Sequence, residues 1–85
     1  MTIKTIVIEG NAGDIEIARN QTGAFVMQGE LCIAAFDRDE PRETRYPKAV
    51  EVAKAVYGTD RKGRVAATNS MVHDVLNEIE RIAGC

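Results

Sequence analysis

Few residues of this chain are of a type to do chemistry. His73 is its single histidine, and Asn69 and Asn77 flank it at a spacing of four. On a helix that spacing lines up one polar edge able to hydrogen-bond a partner. A lone histidine between two amides supplies no nucleophile. No other group of residues offers nucleophile, base and orienter together, so catalysis is not expected. The plain alternative for this edge is a solvated helix face.

Two sets of cations come next. The stretch Asp37 to Tyr46, DRDEPRETRY, is too polar for a core and reads as a solvated loop. Its arginines, Arg38, Arg42 and Arg45, have the geometry to clamp a phosphate or a partner's carboxylates in pairs of hydrogen bonds. The acids between them neutralise much of that charge, which leaves a self-satisfied loop or a protein contact. Arg61, Lys62 and Arg64 lie near a helix start, where the helix dipole disfavours cations. That placement makes them a contact candidate, for an acidic protein patch or for nucleic acid.

Other chemistries are poorly supplied. The glycines at 10, 13, 58 and 63 match neither the dinucleotide nor the P-loop spacing and read as turns. Two cysteines and one histidine are too few for the usual zinc sites, and no metal or cofactor is expected. Cys32, inside the apolar run LCIAAF, reads as a buried reduced thiol, and Cys85 as a frayed end.

The elements that position these residues fit one domain spanning 1–85. A formal net charge of −2 argues against a general nucleic-acid binder and is too mild for an acidic mimic of DNA. No apolar run approaches membrane-spanning length, and MTIKTIVIE alternates instead of forming a signal-peptide core, so the expected location is the cytoplasm.

Residues 3–9 read as a strand apolar on both faces, with Ile6 and Ile8 on one side and Ile3 and Val7 on the other. Gly10-Asn11-Ala12-Gly13 supplies a turn. Residues 14–19 alternate as a half-buried strand, Ile15 and Ile17 inward. A third strand over 24–27 and a fourth over 30–36 follow, joined at Gln28-Gly29 by a hairpin turn or a bulge. The fourth is expected to put Leu31 and Ile33 on one side and Cys32, Ala34 and Phe36 on the other. Pro47 can open a helix that buries Val50, Ala53, Val56 and Tyr57 and stops at Gly58.

The last third carries the strongest pattern. Val65, Thr68, Val72, Val75, Leu76, Ile79, Ile82 and Ala83 form one helical stripe. Thr59 or Asp60 can cap a helix that runs from about Arg61, or 59–69 is mostly loop and Ser70 caps a shorter helix, and the alanine pair at 66 and 67 favours the longer version. The fold these elements predict is α+β, an antiparallel sheet of three to four strands with two helices packed on one face, in the order ββββαα. One sheet face stays partly apolar, which suggests self-association or a partner.

Several fragments resemble small phage-encoded anti-CRISPR proteins. Lys4-Thr5, Ile8, Asn11-Ala12-Gly13, Leu31-Cys32-Ile33-Ala34-Ala35 and Gly58-Thr59-Asp60 are similar to parts of a type II-C inhibitor that caps the HNH nuclease domain of its effector. That family ends in a strand presenting a Ser-Cys pair. Ser70 and Cys85 are not adjacent here, so no inhibitory residue is carried over. Tyr57-Gly58, Gly63-Arg64 and Asn77-Glu78-Ile79 are similar to pieces of a type I-F inhibitor that binds the crRNA-guided surveillance complex. The resemblance implies an inhibitor that blocks a host CRISPR-Cas effector by occupancy, with no small-molecule substrate and no direct nucleic-acid contact. Its contact surface would draw on Arg38, Arg42 and Arg45, on Arg61, Lys62 and Arg64, or on the Asn69, His73 and Asn77 edge. The other reading is a non-catalytic assembly module, a homodimer joined through the sheet.

Overall fold

The chain begins as a β-meander because its apolar residues recur at every second position and short polar turns separate the runs. The structure is a computed structural model that describes residues 5–11 and 13–84. Expectations for Ile3, Lys4, Ala12, Cys85 and the Ile6 side chain lie outside what it describes. Four strands, β1 (Thr5–Gly10), β2 (Gly13–Arg19), β3 (Gly23–Gln28) and β4 (Leu31–Asp37), form one antiparallel sheet in sequence order. In β2, Ile15 and Ile17 are fully buried while Asp14 before them and Glu16 between them face solvent. The β2–β3 turn is held by Asn20, whose Oδ1 accepts from the Thr22 and Gly23 backbone N–H groups at 3.2 and 2.7 Å. The β3–β4 connection is a two-residue turn, with Gly29 at φ 62°.

β4 departs from simple alternation. Val26 pairs with Ala34 and Met27 with Cys32, which leaves Ile33 as the extra residue of a bulge. The bulge turns Ile33 towards the core and puts Cys32 on the outside. The expected buried thiol is therefore exposed. The pattern Cys32, Ala34, Phe36 holds only from Ala34 onward, and Phe36 is buried.

Two helices cover one face of the sheet. The first, α1 (Arg42–Tyr57), starts five residues before the proline expected to open it. The second half of the stretch read as a loop, from Arg42 to Tyr46, is helix, and Pro47 lies inside the same helix. Glu40 explains the early start. Its carboxylate accepts from the Asp37 N–H at 2.8 Å, the Thr44 hydroxyl at 2.9 Å and the Lys48 ammonium at 3.0 Å. Those groups tie the end of β4 to the first two turns of α1. A proline this close to a helix start forfeits one backbone bond, and these side-chain bonds offset it. The buried stripe of α1 is Ala49, Val52, Ala53 and Val56. Val50 is half-buried and Tyr57 is 38% exposed, so the face is rotated from the one expected.

The second helix, α2 (Asn69–Ala83), is the shorter of the two expected versions, with its cap two residues before Ser70. Its cap is Thr68, whose hydroxyl accepts from the Met71 N–H at 3.2 Å. Residues 59–68 are loop, and Asp60 shows why. Its Oδ1 accepts from the Lys62 and Arg64 N–H groups, both at 2.9 Å, and Gly63 turns at φ 78°. The carboxylate that could have capped a long helix closes a tight turn instead, and Thr59 bridges to Val65. Val72, Val75, Leu76, Ile79, Ile82 and Ala83 are buried as their spacing predicts. All of them but Leu76 share one cluster with Ile15, Ile17, Ala24, Val26 and Phe36 of the sheet and Val52, Ala53 and Val56 of α1. Among the described residues, no helix is long and apolar enough to cross a membrane.

Candidate functional site

Both helices pack on the same side of the sheet, so among the described residues the opposite face carries no second layer. The strand register sets its composition. Val7, Glu16, Met27 and Cys32 stand side by side across β1 to β4. Beside them Ala18, Phe25 and Ala35 form a second row across β2, β3 and β4. Val7 is 61% exposed, Phe25 and Met27 are half-buried, and Ala18, next to Phe25, is 3% exposed. Asp14, the outward residue before Glu16 on β2, extends the acidic end, with Glu9 opposite it on β1. Val7, Asp14, Glu16, Phe25 and Met27 line an open groove of about 720 Å³, and among the described residues no lining side chain is cationic. Apolar floor and carboxylate edge are the materials of a protein-binding surface.

The residues singled out in the sequence lie elsewhere, and the structure joins some of them. Arg42 and Arg45, read as loop residues, project from α1 to Glu80 of α2. Arg42 meets Glu80 Oε1 at 2.8 Å and Asn77 Oδ1 at 3.3 Å, and Arg45 meets Glu80 Oε2 at 3.0 Å. One turn along, the His73 ring stands edge-on to Tyr46, centroids 5.3 Å apart at 79°. Arg42, Arg45, His73 and Asn77 thus form one seam between the helices. Asn69, the first residue of α2, is exposed. Arg38 donates to the Gln21 carbonyl at 2.7 Å and ties the end of β4 to the β2–β3 turn.

The second cation set stays separate. It sits on the α1–α2 connection, while the seam arginines lie at the start of α1, about 22 Å of helix away at about 1.5 Å per residue. Arg64 pairs with Asp60 at 3.2 Å, and Arg61 and Lys62 are exposed. Hydrogen bonds from the Arg64 N–H, and next from that of Lys62, hold the Asp60 carboxyl below its ordinary range, helped by the Arg64 charge.

Sequence reasoning missed the groove residues Asp14, Glu16, Phe25 and Met27. A signal was present. In AFVM the inward pair Ala24 and Val26 alternates with an equally apolar outward pair, Phe25 and Met27. A strand apolar on both sides, in a chain with helices enough for one face, leaves the other face bare. Comparison with protein-family models, curated proteins and solved structures found no match to this chain.

Proposed function

We propose that this protein is a non-catalytic inhibitor that works by occupying a protein partner, and that the bare face of its sheet is the surface it uses. The observation that carries the reading is the row Val7, Glu16, Met27, Cys32. It sets exposed Val7 and Cys32 and half-buried Met27 around one carboxylate, on a face that no described helix covers. The fragments similar to anti-CRISPR proteins supply the partner class, a host CRISPR-Cas effector. The test is phage plaquing on bacteria that express the protein and carry an active type I or type II system aimed at the phage. Recovered plaques on one host support the reading and give the effector type. No recovery on either, with soluble protein present, removes the effector as partner.

A homodimeric assembly module is the second reading, favoured by the two sheet edges. β4 is broken by the bulge at Ile33, and Lys48 occupies the Ala35 carbonyl at 2.9 Å, both of which discourage strand addition. β1 keeps an unbroken register from Thr5 to Gly10 and carries exposed Val7. Two β1 edges meeting about a two-fold would make an eight-stranded sheet. Light scattering at micromolar concentration decides this: a doubled mass supports it and a monomer mass rejects it.

A further inference from the structure

We propose that the occupant of the bare face is an extended protein segment with two lysines or arginines two residues apart and an apolar residue two further on. This rests on the reading that the bare face is the contact surface. Asp14, Glu16 and Ala18 are successive outward residues of β2. Strand geometry spaces them by about 6.8 Å, two rises of about 3.4 Å, which is also the spacing of alternate side chains on any extended partner. A strand laid along β2 therefore meets a carboxylate, a carboxylate and a flush alanine in turn. Beside that alanine stands Phe25, half-buried and lining the open groove, where an apolar anchor would seat. The carboxylates select cations at the first two positions, because among the described residues no groove-lining side chain is basic and the edge has one sign.

The same geometry weighs against other occupants. Two copies stacked face to face would bring Glu16 of one against the carboxylates of the other, a like-charge contact with no basic side chain among the described lining residues to neutralise it. Nucleic acid would bring phosphates to the same carboxylates. A second copy offering its Arg61 and Lys62 corner would make a head-to-tail contact that repeats into an open chain, visible as mass growing with concentration.

The experiment is an amide NMR titration of the full chain with two end-capped peptides, Lys-Val-Lys-Val-Leu and Glu-Val-Glu-Val-Leu. The basic peptide is expected to shift the resonances of Asp14, Glu16, Phe25 and Met27. Binding should weaken about tenfold in Glu16→Lys, whose spectrum also reports that the variant is folded, and fall steeply with added salt. The acidic peptide should leave those resonances in place. If both peptides shift the same residues equally, the face binds but not by charge, and the inference falls alone. If shifts gather at Arg61 to Arg64, or neither peptide shifts the face, the inference and the surface it rests on both fall. Mass growing with concentration makes the occupant a second copy and overturns the inference as well.

Discussion

Arg45 of α1 and Glu80 of α2 meet at 3.0 Å with each side chain only 12% exposed, and the other oxygen of the same carboxylate takes Arg42. The charges that looked available to a partner hold the two helices together. Glu80→Ala leaves Arg45 in a nearly dry seam without its carboxylate, and hydrogen bonds to charged groups contribute about 1.5–3 kcal/mol each. Urea unfolding should show a loss in that range. Arg42→Ala, at a side chain 49% exposed, should cost under about 1 kcal/mol. Equal losses for the two variants would contradict this division.

Acid should loosen the junction of β4 and α1. Burial alone would push the Glu40 carboxyl up, but the Asp37 N–H, the Lys48 ammonium and the Thr44 hydroxyl together hold it below its ordinary value of 4.5. A carboxyl whose folded value is depressed stabilises the fold above the unfolded value and stops doing so as pH falls through the folded one. Stability should therefore drop between about pH 5 and pH 3. Glu40→Gln should lose less over that window, the remainder coming from Asp60, which is depressed in the same direction. A Glu40→Gln profile parallel to the parent's would count against the junction.

A methyl group at Gly23 has nowhere to go. Its Cβ would run into the Phe36 carbonyl oxygen and close on the Arg38 backbone nitrogen at 3.0 Å, both backbone atoms of the adjoining strand and its exit. Gly23→Ala should cost about 1–3 kcal/mol by chemical denaturation, the range for overpacking. Ala at Gly29 meets only its φ of 62° and no neighbour, so its cost should be nearer 1 kcal/mol.

The bulge at Ile33 makes a prediction about a thiol. In a Cys85→Ser background, Cys32 should react with a disulfide reagent in the native protein at a rate close to that in urea. Protection of tenfold or more would mean that the thiol is turned inward and the bulge is not where the register puts it.

What was legible in the sequence followed from periodicity. Ile15 and Ile17, and the stripe from Val72 to Ala83, declared strand and helix because tertiary contacts only had to ratify the local pattern. Bonds made across long separations were not legible. Arg42 and Arg45 read as loop because Glu80, their counter-charge, is over thirty positions away, and nothing local in DRDEPRETRY announces a helix turn. Asp60 failed as a helix signal for the opposite reason, since an aspartate before Gly63 serves a turn as well as a cap. The bulge is a one-residue slip between strands, and the alternation of LCIAAF carries no mark of it. The groove was half legible. The apolar excess on β1 was noticed, but the row through Glu16 exists only once the register is known.

The account stands or falls on which surface meets the partner. The most direct measurement is phage plaquing on hosts carrying an active type I or type II CRISPR system aimed at the phage, comparing parent, Glu16→Lys and the double variant Arg61→Glu with Lys62→Glu at equal soluble expression. All three sites are exposed, so folding should be unaffected. The account predicts recovery with the parent and the double variant and a fall of at least tenfold in plaques with Glu16→Lys. Full recovery with Glu16→Lys and loss with the double variant would move the contact to the α1–α2 corner and contradict it.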